Sequence, residues 1–135
     1  MLVDDNPADT DLIRALLAEG RHAVHVTAAK DGEEAMAFLR CTGEFTGAAR
    51  PDLVLLDLNM PRKDGRRVLS EVRADADMRD LPIVVFTTSQ APHDVVSSYR
   101  LGANCYVSKP GSLQDFVAAV KGIAEFWLGI AQLPH

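Results

Sequence analysis

The sequence has few of the features that mark secreted, membrane-bound or nucleic-acid-binding proteins. Its two cysteines, Cys41 and Cys105, lack metal-ligand spacing and are too few for a disulfide framework. No apolar run approaches the roughly 20 residues that span a bilayer, and acids at Asp4 and Asp5 argue against a signal peptide. The net charge of −5 disfavours a nucleic-acid surface. We therefore expect a cytoplasmic protein with reduced thiols that binds neither membranes nor nucleic acids.

The 135 residues suit one domain over residues 1–135, and a hydrophobic content of 47% can fill its core. Apolar runs alternate with stretches of helical periodicity, which is typical of an α/β domain with a parallel sheet. The predicted strands cover residues 2–3, 23–29, 53–57, 82–87 and 105–107. Helices are predicted to begin near Asn6, Asp31, Pro92 and Ser112, with a further one around residues 68–72.

The first predicted strand is unusually short, because only three residues precede Asp4. A missing central strand would leave the backbone groups of two neighbouring strands unpaired, which is costly. We therefore expect the first strand to be truncated, with some N-terminal residues lacking from this sequence.

Polar residues follow four of the five predicted strands. Asp4 and Asp5 follow the first strand, Asp57 ends the third, Thr87 ends the fourth and Lys109 follows the fifth. Ligands of open parallel sheets bind at the carboxyl ends of the strands, close to the point where the strand order reverses. We therefore expect these side chains to share one pocket.

Three carboxylates in one small pocket repel each other, so that either one holds a proton or a cation lies among them. Oxygen ligands without histidine or cysteine favour Mg²⁺ or Mn²⁺, which also bind phosphate oxygens. Lys109 and Thr87 would supply a positive charge and a hydroxyl donor to a phosphoryl group. The pattern therefore predicts a site for acids, metal and phosphate, with one carboxylate as the nucleophile.

Four motifs carry a family resemblance: V-D-D-N, L-L-D-L-N-M-P, F-T-T-S and Y-V-S-K-P, in this order. Over essentially its whole length, the chain resembles the receiver domain of two-component response regulators, the CheY-like family. The resemblance implies a flavodoxin-like sheet of five parallel strands in the order 2-1-3-4-5, with helices on both faces. It also implies a phosphorelay in which a sensor histidine kinase donates the phosphoryl group, and a protein that is not a metabolic enzyme.

The resemblance assigns roles to the acids. Asp57 is the implied phosphoryl acceptor. Asp5 and Asp57 are implied to bind the metal directly, Asp4 largely through water, and Asn59 through its backbone carbonyl.

The same resemblance implies that Lys109 pairs with the phosphoryl oxygens and that Thr87 moves to hydrogen-bond them. Tyr106 is then implied to swing inward as the second part of the switch, although half-buried packing is an equally good interpretation of this residue. A cis peptide is implied before Pro110.

A narrower resemblance, to regulators paired with phytochrome histidine kinases, rests on the stretches F-L-R-C-T-G-E-F, N-C-Y-V-S-K and K-G-I-A-E-F-W-L. It implies a homodimer through the fourth helix, fifth strand and fifth helix. Phe126 and Trp127 are adjacent on a helix and point about 100° apart, so both cannot face one core. One of them is therefore predicted to be exposed or in an interface.

Three alternatives remain from other functional classes. An aspartyl-phosphate phosphohydrolase resembling the haloacid dehalogenase family would need a second acid where Asn59 stands. A flavodoxin-like cofactor binder would want a phosphate loop after the first strand, where Asp4 and Asp5 repel phosphate. The third is a receiver-shaped interaction module that is never phosphorylated.

Near the site, Gly65 is interpreted as supplying a backbone angle, and Arg62-Lys63 as solvated charge.

Overall fold

Five short parallel strands form the sheet of the structure, a computed structural model that describes residues 1–134. The strands are β1 (Leu2–Val3), β2 (Ala28–Ala29), β3 (Val54–Leu56), β4 (Ile83–Thr87) and β5 (Cys105–Ser108). They lie in the order β2-β1-β3-β4-β5. The predicted fold class and strand order are thereby confirmed.

Five α-helices connect and follow these strands. They are α1 (Pro7–Glu19), α2 (Gly32–Leu39), α3 (Gly65–Ala74), α4 (Pro92–Arg100) and α5 (Leu113–Ala124). A 3₁₀ turn covers Gly43–Phe45, and a π-helical segment, Glu125–Ile130, continues α5. None of the helices within residues 1–134 is both long and apolar enough to cross a bilayer.

Helix starts are fixed by side chains that cap the first turn. Asn6, Asp31 and Ser112 each accept a hydrogen bond from the backbone N–H three residues further on, as their sequence context predicts. Asp64 caps α3 in the same way. Because only Asp4 and Asp5 separate the cap Asn6 from β1, α1 begins directly beside the carboxyl edge of the sheet.

The core has two halves, one on each face of the sheet. Along β3, Val54 and Leu56 pack against the face covered by α2 and α3, while Leu55 packs against the face covered by α1 and α5. In β4, Val85 and Phe86 divide in the same way. Because successive side chains of a strand point to opposite faces, a sheet covered on both faces requires continuous apolar strands.

The second strand is much shorter than residues 23–29, so that prediction was wrong in extent. Only Ala28–Ala29 form a strand, paired with Leu2 and Val3 of β1. β1 is the sole neighbour of β2 in this sheet, and β2 can extend only where β1 lies beside it. Residues 23–27 therefore have a β-prone composition but no neighbouring strand with which they could form hydrogen bonds.

Candidate functional site

Strand register brings the predicted site residues to one edge of the sheet. The backbone N–H of Asp57 donates to the Val3 carbonyl at 2.9 Å, so Asp57 lies beside the end of β1, where Asp4 follows. The N–H of Lys109 donates to the Thr87 carbonyl at 2.6 Å, which aligns the ends of β4 and β5. Residues far apart in sequence thus meet because parallel strands all end at this edge.

Lys109 forms the centre of the site. Its Nζ lies 2.6 Å from Asp4 Oδ2, 2.9 Å from Asp9 Oδ2 and 3.4 Å from Asp57 Oδ2. The lysine side chain is only 4% exposed. Burial on its own lowers the pKa of Lys109, but the hydrogen bonds and charges of these carboxylates outweigh it and hold that pKa above its ordinary value. The ammonium is therefore a fixed positive charge.

Asp9 is a site residue that the sequence reasoning missed. It belongs to the first turn of α1, and its side chain is one-quarter exposed. Its position in the sequence could have identified it, because a helix that starts at a strand's carboxyl end places its first turn over the edge of the sheet. An acid there can reach the groups that follow the neighbouring strands.

Negative charge exceeds positive charge around Lys109. Asp4, Asp5 and Asp57 each place one carboxylate oxygen within 4.8 Å of the others. Asp4 and Asp57 are buried, whereas Asp5 is exposed, so the cluster opens to solvent on the side of Asp5. Together with Asp9, four acids surround one lysine. The set offers oxygen ligands of the type that Mg²⁺ and Mn²⁺ prefer, and its charge excess favours such a cation.

The backbone after β3 also contacts the cluster. The N–H of Asn59 lies 3.4 Å from Asp57 Oδ1, so the connection after the strand curls over this carboxylate. Asn59 itself is exposed. The backbone N–H of Asn59 is therefore close to the Asp57 carboxylate, and the role of the Asn59 carbonyl as a metal ligand stays a prediction.

Thr87 has a buried hydroxyl that lacks a hydrogen-bond partner within residues 1–134. The residue is fully buried at the end of β4, whereas Thr88 is exposed and the Ser89 hydroxyl donates to Asp94 at 2.5 Å. A buried hydroxyl without a protein partner is satisfied by water or by a ligand. Thr87 thus differs from Thr88 and Ser89 in having a buried hydroxyl without a partner among residues 1–134.

Hydrogen bonds also tether the connection between β4 and α4. The Tyr106 hydroxyl donates to the Ser89 carbonyl at 2.8 Å, and Arg66 Nη2 donates to Asp94 Oδ1 at 2.7 Å. Burial raises the pKa of Tyr106, so its hydroxyl remains a donor. The segment beside Thr87 is thereby tied to β5, and the first turn of α4 is tied to α3.

Gly65 has a packing role, and its interpretation as a residue chosen for backbone angle was wrong. Its φ is not positive. A Cβ at this position would lie 2.3 Å from the Asp57 carbonyl oxygen, well inside van der Waals contact. Only glycine lets the start of α3 approach the end of β3 this closely.

The expected cis peptide before Pro110 is absent, since the backbone of residues 1–134 contains no cis peptide bond. Lys109 reaches its carboxylate partners with a trans peptide, because its long side chain spans the distance from the end of β5.

Lys63 is buried, so its interpretation as solvated charge was wrong. Its Nζ lies 2.7 Å from Glu71 Oε2 and 3.8 Å from Glu33 Oε1, and its side chain is 8% exposed. Its carbonyl accepts a hydrogen bond from the Gly32 N–H at 3.0 Å. These contacts fold the residue back against α2 and α3, while Arg62 remains exposed and pairs with Asp31.

Of the adjacent aromatic residues in the π-helical segment, Phe126 is 49% exposed and Trp127 is half-buried. Their ring centroids lie 5.3 Å apart in an edge-to-face arrangement. The two residues thus face in different directions, with Phe126 the more accessible.

The fold and this acidic strand-end site define a class of signalling domain. Residues 1–121 match the model of the response regulator receiver domain, and the chain belongs to that family. The predicted family is thereby confirmed.

Similar proteins span nearly the whole chain. Response regulator Rcp1 of Synechocystis sp. is 43% identical over 134 residues, covering 99% of this chain and 91% of Rcp1. The crystal structure of the phosphorylated cyanobacterial phytochrome response regulator RcpA is 48% identical, with a TM-score of 0.96 and coverage of 99% and 96% of the two chains. The Mn²⁺-bound structure of Rcp1 has the same TM-score and coverage at 43% identity.

Proposed function

We propose that this protein accepts a phosphoryl group on Asp57 from a histidine kinase and passes the resulting change of shape to a partner protein. The observation that carries the proposal is the clustering of the Asp4 and Asp5 carboxylates and the charged Lys109 around Asp57, with the unpaired Thr87 hydroxyl at the end of the adjacent strand β4. Acids, a fixed cation and an unused donor together suit phosphoryl transfer, in which catalysis is mostly positioning and charge neutralisation.

In the proposed reaction, a carboxylate oxygen of Asp57 attacks phosphorus. The new O–P bond forms as the P–N bond to the donor histidine breaks, and the electron pair of that bond leaves with the imidazole nitrogen. Lys109 Nζ, already 3.4 Å from Asp57 Oδ2, donates to an oxygen of the transferred group and offsets its charge. The product is an acyl phosphate on Asp57, which water later hydrolyses.

The residues proposed to hold the metal are Asp4, Asp5, Asp57 and the carbonyl of Asn59. When bound, Mg²⁺ or Mn²⁺ supplies positive charge to the oxygens of the phosphoryl group. The number and chemistry of the oxygen ligands support this assignment, as does the Mn²⁺-bound form of Rcp1.

For the switch, we propose that Thr87 turns its hydroxyl to the new phosphoryl group and that Tyr106 follows. The Thr87 hydroxyl gives up no hydrogen bond within residues 1–134 when it turns, because it makes none there. Tyr106 must release the Ser89 carbonyl, which frees the connection between β4 and α4. Such a change alters the surface of α4 and β5 that a partner would read.

The proposed partners are a sensor histidine kinase of the phytochrome type and a second copy of this chain, with residues 1–135 acting as one receiver domain. The kinase class is supported by RcpA, described as a phytochrome response regulator. Self-association is supported by the exposed side chains of Val96 and Tyr99 on α4 and of Phe126 after α5. Comparing the molecular mass in solution before and after phosphorylation tests the dimer.

The chemistry is tested by incubation with Mg²⁺ and acetyl phosphate, followed by intact-mass measurement. We expect the wild type to gain the mass of one phosphoryl group and Asp57→Asn to gain none. Asp11→Asn is the matched control, because Asp11 is an exposed acid on α1. Labelling that persists in Asp57→Asn would contradict the assignment of the acceptor.

A further inference from the structure

Asp9 differs from the other acids around Lys109. It bonds the lysine at 2.9 Å yet does not belong to the cluster of Asp4, Asp5 and Asp57 whose oxygens could share a cation. An ammonium group has three N–H donors, and the three carboxylates within reach of Lys109 Nζ match that number. Asp9 therefore takes one donor of Lys109 without being a candidate ligand itself.

The lysine and a divalent cation require the same carboxylates. Lys109 Nζ contacts Asp4 and Asp57, and both also belong to the cation cluster. An ammonium held tightly between Asp4 and Asp57 would oppose cation binding by occupying the ligands and by charge repulsion. A contact that draws the ammonium toward α1 reduces both effects.

We propose that Asp9 is a positioning residue that shares the Lys109 ammonium and so weakens its competition with a divalent cation for Asp4 and Asp57. The inference rests on the proposed function, because it assumes that the acid cluster binds such a cation. Two features of Asp9 support it. The side chain is only 24% exposed, which strengthens its interaction with Lys109, and its backbone is fixed by the bond from its N–H to Asn6 Oδ1.

Replacing Asp9 by Asn tests the proposal, because the size of the side chain and the capping bond from its N–H remain. The variant loses a negative charge close to the cluster and releases Lys109 toward Asp4 and Asp57. Both effects act in the same direction, so Mn²⁺ binding to the unphosphorylated full chain should weaken roughly fivefold in a calorimetric titration.

Asp11→Asn is the matched control. It makes the same charge change on the same helix at an exposed position without a contact to Lys109, so its Mn²⁺ affinity should stay close to that of the wild type. Asp9→Glu, which keeps the charge and can reach the lysine, should retain most of the wild-type affinity. Weakening by Asp9→Glu as large as that by Asp9→Asn would contradict the proposal.

A double-mutant cycle with Lys109→Met separates positioning from charge alone. In the Lys109→Met background, Asp9→Asn should weaken Mn²⁺ binding much less than in the wild type, because only the loss of its charge remains once the ammonium that it positions is absent. An equal weakening in both backgrounds would show that Asp9 acts only through its charge and would overturn the proposal. If Lys109→Met does not fold, Lys109→Gln replaces it in the cycle.

The titration also separates this inference from the proposed function. A wild-type chain that binds no Mn²⁺ would overturn the proposed metal site itself. A wild-type chain that binds Mn²⁺, with Asp9→Asn indistinguishable from Asp11→Asn, would overturn the role of Asp9 and leave the proposed site intact.

Discussion

Two buried lysines, Lys63 and Lys109, lie in different charge environments. Both side chains are less than one-tenth exposed and both contact carboxylates within 3 Å. Around Lys63, two acids, Glu33 and Glu71, are balanced by Lys63 itself and by Arg40, which lies 3.2 Å from Glu71. This cluster is neutral, and every charge in it has a partner within the structure.

Around Lys109, one positive charge faces the four carboxylates of Asp4, Asp5, Asp9 and Asp57. The site thus contains more negative charge than its lysine can neutralise, and either a bound cation or a proton on one of the acids would offset the excess. Burial of a lysine therefore does not by itself identify a functional site. An excess of negative charge around the lysine does identify one, because uncompensated charge lowers stability in a way that a purely structural ion pair avoids.

The largest expected difference between the two lysines is chemical. Lys109→Met should slow phosphoryl uptake from acetyl phosphate by about 100-fold, because it removes a fixed donor to the transferred group. Lys63→Met should leave the uptake rate within about twofold, since within residues 1–134 its ammonium pairs with Glu71 and Glu33 and with none of the acids around Asp57. Intact-mass time courses measure both rates. Similar slowing in the two variants would remove the distinction between them.

The next largest effect is on stability. Lys63→Met leaves the Glu71 carboxylate without its shortest contact, so the free energy of unfolding should fall by about 2 kcal/mol, independently of Mg²⁺. Urea denaturation measures the change. Lys121→Met is the matched control, because Lys121 is exposed on α5. A loss no larger than that of the control would show that the Lys63 cluster does not stabilise the fold.

The smallest effect concerns pH and the Lys63 cluster. Burial on its own raises the pKa of Glu71, but hydrogen bonds and charges from Lys63 and Arg40 outweigh it and hold that pKa below its ordinary value of 4.5. A lowered pKa in the folded state contributes stability above the unfolded pKa, and this contribution is lost as the pH falls through the folded pKa.

Glu71→Gln should therefore lower the free energy of unfolding by about 1 kcal/mol at neutral pH. The difference from the wild type should narrow as the pH falls below 4.5, the ordinary pKa of Glu71. Denaturation curves across this range measure it. A difference that stays constant down to pH 3 would mean that the charge of Glu71 contributes nothing.

Residues whose roles depend on neighbours in the chain were predicted well. Asn6, Asp31 and Ser112 cap helices because a cap needs only its own side chain and the next few backbone N–H groups. The apolar run before Asp57 forms a buried strand because alternate residues must cover both faces of the sheet. The strand-end acids were correctly placed at one edge because the carboxyl ends of parallel strands all lie at the same edge of the sheet.

Residues whose roles depend on distant neighbours were missed. Lys63 is charged and stands in a turn, and only the packing of α2 against α3 buries it. Gly65 is required because the start of α3 touches the Asp57 carbonyl, a contact that no local pattern expresses. In the sequence, Asp9 cannot be told apart from any other acid in the first turn of a helix. Its role becomes visible only in the folded structure, where the position of β5 brings Lys109 to it.

Local patterns in the amino-acid sequence predict the order of strands and helices along the chain, most helix starts and the chemical types at the carboxyl edge of the sheet. These features depend on periodicity and on contacts within a few residues. Which charges are balanced, in contrast, depends on how the elements pack in three dimensions. Whether a carboxylate finds a partner depends on distances between elements up to 105 residues apart, as for Lys109 and Asp4. Electrostatic energy depends on those distances and on burial, neither of which is local in the chain.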